Sequence, residues 1–266
     1  MIAPDLNHIC TSARQVVALA AEYILVEALK FTPDTIQHKG LNDFVSHVDR
    51  NSEGILVEGL KNLIPEAGFF TEEDTLNTGF KEWTWIIDPL DGTTNFIHGI
   101  PAYCVSVGLL YNHIPVVGIV HEVTSDKCYY AWKGGGAYLN GSLISCSTVG
   151  DLSEGLLATG FPYTDFKNTQ AYLETLERCL RSSRGVRRIG SAALDLAYVA
   201  EGKFVAFFEQ GLKPYDVAGG IVMVEEAGGT VSGFYSGDNA LFDGRIVASN
   251  GPVHGQLIRL ISPDFR

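Results

Sequence analysis

The sequence predicts a layered sandwich in two parts, α+β over its first half and α/β over its second. Three observations carry that expectation. Apolar runs at Tyr103–Tyr111, Ile114–Val120 and Lys127–Trp132, separated by short polar breaks, read as neighbouring strands. Two stretches before them repeat apolar residues at helical spacing. Beyond Ser147–Gly155 the pattern changes, and short strands alternate with helices, as an α/β layer requires.

Taken in order, Ile9, Ala13, Val16, Ala20 and Ile24 mark an amphipathic first helix. It has no basic start, and Glu22 interrupts it, so it does not read as a signal peptide. No stretch is read as long and apolar enough to span a membrane. A second helix is expected over Val45–Leu63, stopped by Pro65 and Gly68. Phe69 and Phe70 lead as a short strand into Thr71-Glu72-Glu73-Asp74. Asn112-His113 joins two of the apolar runs as a hairpin turn, and Ala137–Leu139 extends the sheet. Gly134-Gly135-Gly136 lacks the Lys-Ser/Thr of a phosphate-binding loop and reads as a turn. The second half follows as Leu156–Thr159, a helix near Thr169–Leu180, Val186–Arg188, a helix over Ser191–Ala200 and Phe204–Phe208. A helix over Pro214–Ala227, a strand at Ile246–Ala248 and a helix near Val253–Ile261 complete it. The expected division is 1–148 for an α+β half and 149–266 for an α/β half.

With 266 residues the chain can bury a large core, and its 46% hydrophobic and 19% charged residues are ordinary for a globular protein. A net charge of −12 argues against direct nucleic-acid binding, because phosphate backbones call for basic surfaces. It leaves room for a small phosphorylated substrate, since bound divalent cations reverse the local sign. Five scattered cysteines, Cys10, Cys104, Cys128, Cys146 and Cys179, form no C-x-x-C pair and suggest reduced thiols in a cytoplasmic protein.

The chemistry is concentrated in Trp85-Ile86-Ile87-Asp88-Pro89-Leu90-Asp91-Gly92-Thr93-Thr94-Asn95-Phe96. An apolar strand delivers Asp88 and Asp91 into a turn, and Pro89 between them cannot donate to a ladder. The two acids can converge on a hard cation, while Gly92, Thr93 and Thr94 offer N–H and O–H donors to an anion. Asp-Gly-Thr after a strand is also an ordinary turn signal.

Other acids carry two readings each. Glu72-Glu73-Asp74 is either a solvated acidic loop or a strand end that places Glu72 beside Asp88. Asp216, in the first turn of a helix opened by Pro214, either complements the helix dipole or adds a metal carboxylate. Asp43 and Asp49 follow His38-Lys39; Asp49 either pairs with Arg50 or orients a water together with Thr93. His121 and His254 read as surface or satisfied core, and His98 as part of a turn. Arg187-Arg188 faces a phosphate, a partner subunit or solvent.

The chain resembles the inositol monophosphatase family, within the magnesium-dependent, lithium-sensitive phosphatases. The carrying residues are Phe44–Asp49, Glu72-Glu73, the W-I-I-D-P-L-D-G-T-T-N-F-I-H-G run and Tyr138–Gly141. They continue in family order through Thr159–Tyr163, Gly190–Asp195, Glu209–Asp216 and Glu226–Gly229, over roughly residues 6–260. The resemblance implies a layered αβαβα sandwich of the sugar-phosphatase type, with most metal ligands in the first half and Asp216 and substrate contacts in the second.

It also implies roles. Glu72, Asp88 and the Leu90 carbonyl would hold a first Mg²⁺. Asp88, Asp91 and Asp216 would hold a second, and Glu72 would help hold a weaker third. Gly92 and Thr93, with Thr94 beside them, would take phosphate oxygens through their donors. Asp49 and Thr93 would position the attacking water. Glu209 would contact substrate hydroxyls in a pocket lined by Gly190, Ser191 and Ala192, with Asp91 and Asp216 also facing the substrate. The implied reaction is hydrolysis of a polyol or sugar monophosphate, myo-inositol 1-phosphate first, by a homodimer. Fructose 1,6-bisphosphate, histidinol phosphate and a 3′-phosphonucleotide are the alternative substrates; a partner-binding regulator that keeps the fold is the alternative of another class. Tyr215 stands where the family commonly has Trp, and Leu90 where it commonly has Ile.

Overall fold

The computed structural model describes residues 5–30, 37–38, 44–45, 47–162, 166–261 and 265, with backbone alone at 37–38 and 44–45. Lys39, Asp43, Ser46 and Tyr163 of the sequence motifs lie outside the described residues.

Helix α1 (Leu6–Ala28) starts at Asp5, whose carboxylate accepts the His8 N–H at 3.1 Å and caps the helix. Ile9, Ala13, Val17, Ala20 and Ile24 are buried on its inner side, and Val16 packs partly buried at the edge of the same stripe. By length and composition α1 is long and apolar enough to cross a membrane, which corrects the sequence reading. Only part of its surface is buried, and that part packs on α2 (His47–Lys61) and on the sheet beneath. Strands β1 (Gln37–His38) and β2 (Phe44–Val45) pair antiparallel, and α2 begins two residues later than the expected Val45.

Seven strands form the first sheet: β3 (Gly68–Thr71), β4 (Trp83–Asp91), β5 (Cys104–Tyr111), β6 (Ile114–Glu122), β7 (Lys127–Trp132), β8 (Gly136–Leu139) and β9 (Ser142–Ile144). They pair in sequence order, β3 parallel to β4 and the rest antiparallel. A five-residue helix, α3 (Thr93–Ile97), follows β4 directly. Asn112 and His113 both have left-handed φ, 46° and 65°, the conformation of a tight hairpin turn between right-twisted strands. The Gly134–Gly136 turn is held by Glu226, which accepts the N–H groups of Gly134 and Gly136 at 2.9 and 2.8 Å.

Beyond them come β10 (Leu156–Thr159), α4 (Thr169–Ser182), β11 (Gly185–Arg187), α5 (Ala192–Ala200), β12 (Ala206–Gln210), α6 (Pro214–Glu226), β13 (Thr230–Ser232), β14 (Arg245–Ser249) and α7 (His254–Leu260). The second sheet runs β11-β10-β12-β14-β13. Its first three strands are parallel and β14 is antiparallel to both neighbours, so this layer is mixed rather than the purely parallel sheet that strict alternation suggests.

The middle layer follows from composition. In α6 every residue from Val217 to Val224 is buried, and in α5 Ala192–Ala197 are buried; a helix apolar on all sides needs cover on all sides. Both lie between the sheets, where they fill one core, while α1 and α2 cover the outer face of the first sheet, and α4 and α7 cover the second. The order of layers is therefore αβαβα. The close approach of α6 to the first sheet depends on glycine: a Cβ at Gly118 would lie 2.1 Å from the Gly219 carbonyl oxygen. All five cysteines are buried and free.

Candidate active site

The two acids of β4 face the same way because the strand is irregular between them. Residues three apart on a regular strand point to opposite faces. Here Asp88 pairs with Ser106 and Asp91 with Cys104, so three steps on β4 oppose two on β5. That bulge contains Pro89, which has no N–H to pair, and it brings Asp91 round to the side of Asp88. Carboxylate oxygens of Asp88, Asp91 and Asp216 consequently lie within 4.8 Å of one another. Asp88 Oδ1 accepts the Leu90 N–H at 3.0 Å, and the Thr93 hydroxyl donates to the Leu90 carbonyl at 2.9 Å. Ser52 of α2 donates to the Pro89 carbonyl at 3.2 Å.

Gly92 closes the turn with φ 94°. A side chain there would be strained, and its Cβ would stand 2.8 Å from the Ala102 carbonyl oxygen. Its N–H bonds the Asp91 carboxylate. His98 forms the exposed C-cap of α3, the turn role expected of it.

Glu72 comes from the end of β3, which runs parallel to β4 with Thr71 opposite Ile87. Its N–H donates to the Ile87 carbonyl at 3.1 Å, and its carboxyl hydrogen-bonds that of Asp88. Asp216 stands in the first turn of α6, where its Oδ2 accepts the Lys213 N–H at 2.5 Å in a capping box. Asp216 therefore sits in the first turn of α6 and also among the converging acids. Asp49, in the first turn of α2, is buried and acts electrostatically on Glu72.

The far wall belongs to the second half of the chain. Asp91 Oδ2 accepts the Ser191 hydroxyl at 2.6 Å and the Ala193 N–H at 2.7 Å, so the start of α5 is bound to the end of β4. Ser191 also caps α5 by accepting the Leu194 N–H at 3.2 Å. Asn95 adds a second tie, donating to the carbonyls of Ala102 at 2.7 Å and Ile189 at 2.9 Å. Glu209 on β12 and Asp195 on α5 are buried close to Arg188, whose guanidinium lies 5.6 Å from the Phe161 ring centroid. The resulting cavity has a volume of about 480 Å³.

Of the residues singled out in the sequence, Glu72, Asp91, Gly92, Thr93, Thr94, Gly190, Ser191, Ala192, Glu209 and Asp216 line this cavity. Asp49, Asp88 and Leu90 do not line it. Asp88 is 2% exposed, and the Leu90 side chain sits in the core beneath α1 and α2, so only its backbone N–H and carbonyl lie near the acids. Ser52, Glu53, Asn95 and Lys213 had no assigned role in the sequence reading. Arg188, unlike exposed Arg187, reaches the cavity. Asn95 and Asp195 lie inside quoted motifs, so their place in the sequence was a signal; Ser52 and Glu53 read as ordinary helix positions.

Charge at the site is one-sided. Burial pushes the Asp88 and Glu72 carboxyls well above their ordinary range, and neighbouring acids push them further. Burial raises Asp91 to about 6 against the pull of its Ser191, Ala193 and Gly92 donors. Asp216 rises to about 7 through burial and the charge of Asp91, with the Lys213 N–H opposing. Burial likewise raises Glu209 and Asp195, and Arg188 counters this. Such a group of all-oxygen donors fits a hard divalent cation, which would relieve the repulsion that keeps these acids protonated.

A sequence model of the inositol monophosphatase family matches residues 5–264. The chain belongs to this family. It is 44% identical over 225 residues to the putative Nus factor SuhB of Neisseria meningitidis serogroup B, covering 84% of this chain and 86% of that one. Its structure is similar to the extragenic suppressor protein suhB of Bartonella henselae, with TM-score 0.89 and 34% identity over 96% of this chain and 98% of the other. It is similar also to the inositol monophosphatase of Anabaena, with TM-score 0.87 and 34% identity over 98% and 99% of the two chains. The Tyr215 ring stacks on Phe70 with centroids 6.1 Å apart.

Proposed function

We propose that this protein is a Mg²⁺-dependent phosphomonoesterase of polyol or sugar monophosphates, with myo-inositol 1-phosphate as the first substrate. The observation that carries the reading is the convergence of Asp88, Asp91 and Asp216 within 4.8 Å, beside the donors of the Gly92–Thr94 turn. Glu72, Asp88 and the Leu90 carbonyl, then Asp88, Asp91 and Asp216, would hold two ions, with Glu72 helping to hold a third. Bound Mg²⁺ supplies a nucleophile at neutral pH and charge neutralisation at the leaving oxygen. The residues supply position. Thr93 Oγ1 spends its proton on the Leu90 carbonyl, so toward a water it acts as an acceptor, and with Asp49 it orients that water for in-line attack. The Gly92 and Thr93 N–H groups and the Thr94 hydroxyl donate to the phosphoryl oxygens. Glu209 accepts and donates to substrate hydroxyls, with Gly190, Ser191 and Ala192 forming the wall around them. Lithium sensitivity and a homodimeric state belong to the same reading.

Phosphate release from a panel of esters, measured with Mg²⁺, with EDTA and with added Li⁺, tests it. Mg²⁺-dependent, Li⁺-suppressed release led by inositol 1-phosphate is expected, and Asp88→Ala should abolish it. Release unchanged by that substitution would sink the site assignment. Faster turnover of another ester, by kcat/KM, would move the substrate and keep the mechanism. Light scattering that gives a monomer mass would remove the dimer.

A second role is favoured by the relative named a putative Nus factor, 44% identical to this chain: partner binding alongside catalysis. Rescue of a deletion phenotype by the catalytically inert Asp88→Ala protein would support it, and failure of that folded protein to rescue would remove it.

A further inference from the structure

Helix α2 presents three neighbouring residues to the ends of β3 and β4, behind the residues that line the cavity. Asp49, Ser52 and Glu53 stand at i, i+3 and i+4, the spacing that places side chains on one helix face. All three are buried, with Ser52 and Glu53 at 0% exposure. Asp49 acts on Glu72, and Ser52 holds the Pro89 carbonyl inside the bulge. Glu53 does not line the cavity. Its Oε1 accepts the Thr71 hydroxyl at 2.9 Å, the Thr75 N–H at 2.8 Å and the Thr75 hydroxyl. Its Oε2 accepts the Glu73 N–H at 2.8 Å. One turn earlier, Arg50 pairs with the Glu73 carboxylate at 3.6 Å.

The donors that Glu53 gathers bracket Glu72 on both sides along the chain. A buried carboxylate is tolerated only where donors replace its water, and here the last residue of β3 and the loop after it supply all four. That loop carries an acidic run toward Asp88 and Asp216, and the charges of Asp216 and Asp49 repel Glu72. Without a tether, the loop would relax by moving Glu72 away. We propose that Glu53 is a positioning residue: by gripping Thr71, Glu73 and Thr75 it fixes the Glu72 carboxylate against Asp88 for metal binding. The proposal rests on the metal reading given above.

Glu53→Gln is the probe. Its NH₂ must replace one oxygen and so meet either the Glu73 or the Thr75 N–H donor to donor, at nearly constant volume. Thr75→Val, which removes one hydroxyl donor, and Glu72→Gln, which alters the ligand itself, are measured beside it. The readouts are Mg²⁺ affinity by titration calorimetry on metal-stripped protein, the Mg²⁺ concentration for half-maximal phosphate release, and the melting temperature without metal. Expected for Glu53→Gln is a folded protein that binds Mg²⁺ about tenfold more weakly, the scale on which residues behind a ligand act. Its half-maximal Mg²⁺ should rise in step while kcat at saturating Mg²⁺ stays close to that of the parent. Thr75→Val should move affinity in the same direction by a smaller factor.

A Glu53→Gln protein that melts lower but binds Mg²⁺ like the parent, while Glu72→Gln binds weakly, overturns the proposal and leaves a structural role. If Glu72→Gln also binds like the parent, the metal reading itself has failed. Should Glu53→Gln not fold, parent-like Mg²⁺ binding by folded Thr75→Val overturns the proposal.

Discussion

Replacing Ser191 with alanine should reveal how tightly the two halves of the site are joined. The Ser191 hydroxyl donates to Asp91 at 2.6 Å and accepts from the Leu194 N–H at 3.2 Å, so one oxygen serves as cross-link and helix cap. Loss of an N-cap costs about 1 kcal/mol. Loss of a hydrogen bond to a charged group costs about 1.5–3 kcal/mol. Together they amount to about 2.5–4 kcal/mol when Asp91 is ionised, or a fall in melting temperature of roughly 5–15 °C for a chain of this size. Asp91 titrates at about 6, held there partly by this donor, so the substitution raises it further. At pH 5 the carboxyl is largely protonated and the charge-assisted share disappears; at pH 8 it is present in full. Thermal unfolding of metal-free protein at both values should therefore show the larger loss at pH 8. Equal losses at the two pH values, or a loss below about 0.5 kcal/mol, which is the range of an ordinary surface change, would refute the link to Asp91.

Three further outcomes are expected. Gly160→Ala places a Cβ 1.9 Å from the Glu209 carboxyl carbon, so Glu209 must move; steady-state kinetics should show KM for the polyol phosphate raised by about tenfold or more with a smaller change in kcat. Asn95→Ala leaves the part-buried carbonyls of Ala102 and Ile189 without their donor, and chemical denaturation should report a loss of about 1–3 kcal/mol. Without metal, the melting temperature should fall as pH rises from 5 to 8. Asp91 and Asp216 are raised to about 6 and about 7, so their favourable protonated forms, present below the unfolded-state range, are lost as pH passes those values. Added Mg²⁺ should restore stability most at the alkaline end, where protons no longer compete for the carboxylates. A metal-free melting temperature that climbs over this interval would contradict the repulsion assigned to the site.

Sequence by itself determined the parts of this protein that are built within one turn or one strand. The Asp88–Thr94 run was legible because a proline between two acids and a glycine after them leave the backbone few alternatives. The Asn112-His113 hairpin was legible for the same kind of reason, since turn chemistry is a local property. Val45, by contrast, carried helical spacing and ended in a strand, because a single apolar position does not fix where a helix begins. The mixed sheet was hidden too: strand direction is set by pairing partners distant in sequence.

Tertiary structure decided everything that required two distant segments to meet. The face to which Asp91 points depends on a bulge measured against β5, and its partners Ser191 and Ala193 lie 100 and 102 residues away. In sequence Asp216 reads either as a first-turn acid or as a further metal carboxylate, and the placement of α6 between the two sheets brings it to Asp88. Glu53 was invisible for a related reason. Helical periodicity marks it as a polar position expected to face water, and only the packing of α2 against the end of β4 encloses it with the donors that flank Glu72. Local rules see neighbours up to about four residues apart. The burial that makes a carboxylate a ligand or a tether comes from residues that those rules never compare.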